Sequence, residues 1–357
     1  FGFLPVPIII TDPAVDGGLG AIGLFFHETE EQAEQRREAL ESSEDGSRFL
    51  LTPSISAVAA AATGNGSWFA GGGHVGFWKE GRLRYTGFGG YGDVNIDFYG
   101  TGDFNLIRPI EINTRAAMIG NTLKFKVGER PLFVGITQRY TDAKISLARP
   151  RDVPAQLFDP SVDGATAQEI RLALSRDVAL SALGLVVELD TRDNFFSAHA
   201  GYRYELRQLW YRDALGSDID YDLTAFEGLN YWPLTEAWRL GLRLDFESTD
   251  ADRVLPPFAT PGVSLRGIPA ARYQGNSVGA VEAEVTWQLN RRWSVNVFSG
   301  VGRAAGKFSD LSDATSRVTK GAGFRYLIAS RYGFEAGVDV ARGPEDTVFY
   351  IQAGSAW

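Results

Sequence analysis

The sequence predicts an all-β protein: a transmembrane antiparallel β-barrel of sixteen strands, with a long extracellular loop folded into its lumen. Three observations carry this expectation. Apolar and polar residues alternate with a period of two along nearly the whole chain, as strands need when one face meets lipid and the other an interior. The 357 residues include 41 Gly, 23 Phe and 13 Tyr, a composition that suits the class. Short turns also alternate with long loops, the asymmetry of transmembrane barrels.

The alternative of a soluble sandwich of several domains fits less well. Nearly every segment pairs an apolar face with a charged or small one, and no linker interrupts the pattern. Residues 1–357 therefore read as a single barrel domain. No run of about 18 apolar residues exists, so no membrane-spanning helix is expected. With no Cys there is neither a disulfide framework nor a thiolate metal site. A net charge of −9 argues against a nucleic-acid partner. No signal peptide is visible, and the chain opens at Phe1 without Met, so a processed or trimmed N-terminus is expected.

Taken in order, Phe1–Thr11 reads as a first strand carrying Pro5 and Pro7, and hence as a poorly paired edge or entry segment. Gly17–His27 is the second strand, and the polar stretch Glu28–Ser47 a short helix outside the membrane band. Arg48–Thr63 is the third strand, turned by Gly64, Asn65 and Gly66. Trp68–Lys79 and Arg82–Tyr99 form a hairpin, followed by a loop at Thr101–Ile110. Glu111–Val127 and Pro131–Leu147 form the next pair. Ala148–Val178 is the longest irregular stretch, with a helical turn at Gln168–Leu174; it is assigned to the extracellular side. Ala179–Asp190 points Leu183, Leu185, Val187 and Leu189 outward against Glu188 and Asp190. Tyr202, Tyr204 and Leu206 then alternate with Arg203, Glu205 and Arg207. Tyr221–Tyr231 and Trp238–Glu247 make another hairpin. Ser277–Leu289, Trp293–Gly302, Val318–Ile328, Tyr332–Ala341 and Thr347–Trp357 complete the sixteen. Trp210, Trp232, Trp287, Trp293, Tyr350 and Trp357 are expected in interfacial aromatic girdles. Counting strands places Glu28–Ser47 on the short-turn side, the one exception to the asymmetry.

Ser264–Pro269 stands out within Asp250–Asn276: an Arg and a Gly between Pro-rich flanks. The strand that follows alternates Val281, Val285 and Trp287 with Glu282, Glu284 and Thr286. The segment is read as a loop folded back among the charges of the polar face. A guanidinium fork suits bidentate carboxylate binding, and the residues by themselves fit an Arg266–Glu284 pair and a solvated Arg266 equally.

Three stretches together resemble the BamA/TamA superfamily of outer-membrane barrels, the bacterial surface antigen proteins. Leu265-Arg266-Gly267 is similar to the Val-Arg-Gly-aromatic motif of the loop that folds into the barrel, with Ile268 in the aromatic position. Asp190-Thr191-Arg192-Asp193 with Gly201 is similar to a periplasmic turn motif, with Ala198-His199 where Pro-Thr is usual. Phe349, Gly354 and Trp357 resemble the terminal signal read during outer-membrane insertion. The resemblance covers the whole chain and implies an integral outer-membrane barrel that inserts or translocates proteins. It implies a weak seam between first and last strands, and Arg266 with Gly267 anchored on Glu284. A second wall acid expected near Ser299-Gly300 is missing, which leaves Glu282 as a substitute. The implied partners are outer-membrane lipid including lipopolysaccharide, the barrel assembly machinery during insertion, and client proteins or a second copy. Members with assembly roles carry POTRA domains; this chain is read as a member or fragment lacking them, which weakens a direct role with periplasmic clients.

A passive pore for small solutes is the alternative, motivated by the charged inward faces. Enzymatic function finds little support: His27, His74 and His199 are far apart in sequence, and no nucleophile–base grouping, metal spacing or phosphate loop is evident. Gly71–Gly73 more readily relieves crowding in a barrel wall than binds phosphate. No catalytic residue, metal or cofactor is expected.

Overall fold

The computed structural model describes residues 2–28, 34, 54–101, 104–147, 174–195, 197–329 and 334–353. Sixteen antiparallel strands follow one another in a single sheet, each paired with its sequence neighbours. They are β1 (Gly2–Ile10), β2 (Gly18–His27), β3 (Ser54–Thr63), β4 (Trp68–Trp78), β5 (Leu83–Thr101), β6 (Phe104–Lys126), β7 (Leu132–Leu147) and β8 (Arg176–Asp190). The second half comprises β9 (Gly201–Tyr211), β10 (Tyr221–Pro233), β11 (Trp238–Ala251), β12 (Ser277–Gln288), β13 (Trp293–Ala305), β14 (Arg317–Ala329), β15 (Phe334–Arg342) and β16 (Thr347–Ala353). β1 and β16 lie side by side, but among the described residues no ladder joins them.

The period of two decides which face each residue takes. On β12 and β13, Val281, Trp287, Val297 and Val301 are exposed while Glu282, Glu284, Asn296 and Phe298 are buried. On β8, Leu183, Leu185 and Val187 are exposed and Glu188 is 1% exposed. An outside-apolar, inside-polar wall is the inverse of a soluble protein and matches a barrel standing in lipid. Trp232, Trp287 and Trp293 are exposed, as a girdle requires.

The inner lining is not uniform. From β5 onward it is rich in charge, whereas β1 to β3 present Leu4, Val6, Ile22, Leu24 and Ile55 on the inner side, with small residues between them.

Several expectations need correction. No loop occupies Thr101–Ile110: only residues 102–103 separate β5 from β6, and these strands of 19 and 23 residues pair almost to their tips. About 9–11 residues span a bilayer, so this hairpin projects well beyond it. β1 is no poorly paired segment, since nine residues are in register with β2. Pro5 and Pro7 share one parity, so both nitrogens point to the same side; the unbroken β2 register places that side at the β16 seam. Tyr350 faces inward, with its hydroxyl on the loop, and does not belong to a girdle. β11 continues to Ala251, which shortens the long loop to residues 252–276. Most of Glu28–Ser47, most of Ala148–Val178, and Gly354 and Trp357 lie outside the described residues.

Candidate functional site

Residues 252–276 contain Pro256, Pro257, Pro261 and Pro269, which cannot donate to a ladder, so the segment leaves the sheet. It is stapled by its own hydrogen bonds. The Val263 N–H donates to Tyr273 O at 2.9 Å and that of Gly275 to Pro261 O at 3.1 Å. Gln274 Nε2 donates to Pro257 O at 2.7 Å and to Thr260 O at 3.0 Å. Two apolar contacts hold the loop to the wall. Leu255 joins a cluster with Val178, Leu180, Leu209, Tyr211 and Tyr221. Val263, Leu265 and Ile268 pack on Val278 and Ala280. Ile268 thus occupies the aromatic's place as a buried aliphatic group. The wall makes room through glycine: a Cβ on Gly302 would lie 2.3 Å from Val263 Cγ1, and one on Gly300 2.9 Å from Leu265 Cδ2.

Arg266 lies at the centre of this contact. Its Nε and Nη2 donate to Glu282 Oε1 at 3.0 and 2.8 Å. Nη1 donates to Asp339 Oδ2 at 2.8 Å and sits 2.8 Å from Glu284 Oε2. The guanidinium carbon lies 3.4 Å from the centre of the Phe298 ring. Arg325 grips Asp339 bidentately at 2.6 and 2.8 Å, and Asn296 Nδ2 donates to Glu284 Oε2 at 2.8 Å. Two guanidinium groups thus face three carboxylates, drawn from β12, β14, β15 and the loop. Glu282 and Asp339 are 1% and 0% exposed, so no charge here could be left alone without a large desolvation cost.

The structure therefore brings together Arg266, Glu282 and Glu284. Where a wall acid is missing near Ser299-Gly300, β13 supplies Phe298 as a stacking face, and a further acid, Asp339, comes from β15. Sequence reasoning missed Asp339 because its partner lies 73 residues away. The available signal was its parity within Glu335–Ala341.

Gly267 has φ +95°, and a Cβ there would come within 2.9 Å of Gly343 N. Its N–H donates to Tyr350 Oη at 2.9 Å. The loop then reaches both sides of the seam. Ala270 N donates to Asp12 Oδ2 at 3.3 Å in the β1–β2 turn. Arg272 Nε donates to Glu345 Oε2 at 2.6 Å, and Tyr273 Oη to Glu345 Oε1 at 2.9 Å, in the β15–β16 turn. The hydrogen bond from Arg272 holds the Glu345 carboxyl below its ordinary range against the opposing effect of burial, with a lesser contribution from the Tyr273 hydrogen bond. Burial, with the Glu345 hydrogen bond and charge, pushes the Tyr273 phenol up.

The turn residues form a separate group. Asp190 accepts from Arg192 Nε at 3.0 Å and from Arg84 Nη1 at 2.8 Å. Asp193 Oδ1 accepts from the His199 N–H at 2.9 Å and the Ala200 N–H at 3.2 Å. Gly201 has φ +98°, and a Cβ there would lie 2.4 Å from Thr191 O. Phe195 packs edge-on against Phe77 of β4. Asp190, Arg192, Asp193 and Gly201 thus shape one turn rather than a binding centre. Phe349 is exposed on the outer face.

A second ion network shows in the sequence only as alternating charges. Lys124 Nζ contacts Glu188 at 2.5 Å and Glu205 at 2.9 Å. Arg203 contacts Glu188 at 2.9 Å, Glu205 at 2.8 Å, and Glu227. Arg84 closes on Glu188 at 2.9 Å. These ties rivet β5, β6, β8, β9 and β10 from inside. Between loop and wall lies a polar cavity of about 220 Å³, lined in part by Arg207, Glu227, Arg243, Glu247 and Ser264.

This is the architecture of the sixteen-stranded outer-membrane barrels. Three solved structures share it. BamA from Haemophilus ducreyi lacking POTRA domains 1-3 aligns with a TM-score of 0.59 at 11% identity, over 99% of this chain and 69% of that one. CdiB from Acinetobacter baumannii aligns at 0.58 and 11%, over 99% of this chain and 59% of that one. CdiB from Escherichia coli aligns at 0.57 and 11%, over 98% and 62%. The chain thus spans less than two thirds of either CdiB. No protein-family model matches it, and no curated protein matches its sequence.

Proposed function

We propose that the chain is an integral outer-membrane barrel of the protein insertion and translocation type. Its lumen is closed by loop 252–276, folded in from the extracellular side, and its wall opens at the β1–β16 seam. The observation that carries this reading is the loop itself. Its arginine enters a cluster of three wall carboxylates, and its flanking residues bond to turns on both sides of a seam that has no ladder among the described residues. A static pore needs no such contacts at the seam. The fold shared with BamA and CdiB supports the same reading. Clients are other outer-membrane or secreted proteins, or lipid. The chain has no cysteine, so a disulfide can be placed freely between Gly2–Ile10 and Thr347–Ala353. In proteoliposomes the locked barrel should fail to promote insertion of a reporter barrel, with recovery on reduction. Full activity while locked overturns lateral opening.

A second reading, a passive solute pore, is favoured by the polar cavity left beside the loop. Planar-bilayer recordings separate the two: a persistent open conductance in the native chain supports the pore, and a closed baseline supports the loop as a plug.

A further inference from the structure

We propose that the outer face of β2–β5 holds a glycerophospholipid, its phosphate on His27, Ser56 and His74 and an acyl chain over a floor of small residues. The proposal rests on the membrane-embedded reading above. Far apart in sequence, the three polar residues meet on adjacent strands. His27 Nε2 and His74 Nδ1 each lie 2.9 Å from Ser56 Oγ, and the two rings are 5.8 Å apart. All three share the face of exposed Leu19, Val58 and Trp78, the side turned to lipid.

A hydroxyl carries one proton and two lone pairs, so at least one of the two rings must donate to Ser56. Such pairing lowers the cost of polar groups in hydrocarbon, yet apolar side chains would cost less. The position explains the choice. His27 is the last residue of β2 and Ser56 the third of β3. Trp78 ends β4 and stacks with His74 at 6.2 Å and with Tyr85 at 6.1 Å. Indole and phenol rings at strand ends mark the headgroup depth of a bilayer. The groups a lipid offers at that depth are phosphate oxygens, which accept hydrogen bonds from imidazole N–H and hydroxyl donors. Away from the rim the same face continues through Ala60, Ala70, Gly72 and Gly89 before reaching Trp68 and Tyr91. That low floor between aromatic borders accommodates an acyl chain, and the chain and the phosphate together favour a phospholipid over free phosphate.

The test uses the full chain, folded in detergent, stripped of lipid and checked by heat-modifiable migration. Phosphatidylglycerol or diacylglycerol with the same acyl chains is added, and retention is read by native mass spectrometry. The native barrel should retain one phosphatidylglycerol and release diacylglycerol. His27→Phe with His74→Phe, which keeps ring bulk, should cut retention at least tenfold. Ser56→Ala, the milder change, and Gly72→Leu, which raises the floor, should each weaken it. Undiminished retention in these variants, equal retention of diacylglycerol, or displacement by millimolar inorganic phosphate overturns the proposal. Liposome flotation separates the two readings: failure to insert defeats the membrane reading, whereas insertion without lipid retention defeats this one alone.

Discussion

Arg266 has exchanged hydration for three carboxylates and an aromatic face. Removing it strands Glu282, Glu284 and Asp339 on one buried wall. Arg266→Ala should therefore cost about 3–5 kcal/mol, read as a lower urea midpoint for loss of heat-modifiable migration. Arg266→Lys keeps the charge but loses the fork, and should cost about 1.5–3 kcal/mol. A native-like midpoint in both would contradict the anchoring role. Glu345 gives a pH dependence of opposite reach. Its folded-state value lies below the unfolded value of about 4.3. Its contribution is therefore present above that value and lost as pH falls through the lower folded one. Protease cleavage within 252–276 should stay constant from neutral pH to about 5 and rise under stronger acid. Glu345→Gln should show the raised cleavage already at neutral pH. Arg266 and Glu284 could be matched through the resemblance of Leu265-Arg266-Gly267 and the strand after it to a known pattern, since the residues alone left a solvated Arg266 equally open. Asp339 could not, since parity shows that a residue faces inward but not which residue faces it across the lumen.

At the scale of elements, the loop depends on glycine in the strand beneath it. Gly300 and Gly302 give Leu265 and Val263 their places, so Gly302→Leu should unseat the loop while leaving β13 in register. The expected readouts are faster proteolysis of 252–276 and a larger bilayer conductance, with unchanged heat-modifiable migration. Unaltered proteolysis would mean that the loop packs elsewhere. Strand number and face were legible because a one-residue slip would turn Glu282 and Glu188 into lipid. The ends were less legible. Thr101–Ile110 looked like a loop because Gly102, Asp103 and Pro109 mimic turn chemistry. Yet Ile110 and Ile112 are buried and continue the ladder. Tyr350 looked like a girdle residue because an aromatic at a strand end suits either face, and only the parity of β16, with Phe349 and Ile351 outward, decides.

At the scale of the whole molecule, the wall is mechanically uneven. Ion pairs bind β5–β10 into one stiff panel and β12, β14 and β15 into another through the loop. β1–β3 are lined by aliphatic and small side chains, and β1 carries two prolines toward the seam. Deformation should therefore concentrate in the panel of β1–β3. Amide hydrogen exchange in a bilayer mimic should be faster there than in β8–β10, and Glu188→Gln should narrow that difference by accelerating β8–β10. The resemblance read from three short motifs and the fold shared with BamA and CdiB agree on this barrel, but neither indicates where it is soft. That property comes from which inward positions carry charge.

The loop's hold on Asp12 and Glu345 makes it a latch in the thermodynamic sense. The two residues stand on opposite lips of the seam and are reached from Ala270 and Arg272 of one short segment. Opening the lips must break at least one of these bonds, so on the proposed lateral route latch release and client entry would draw on a shared free energy. Linkage then requires reciprocity: whatever factor by which a bound client loosens the loop, loosening the loop must raise client affinity by the same factor. Glu345→Ala, which unfastens one lip without altering β1 or β16 themselves, should tighten client binding and raise loop cleavage in equal proportion. A client indifferent to the latch would have to enter by a route other than the seam.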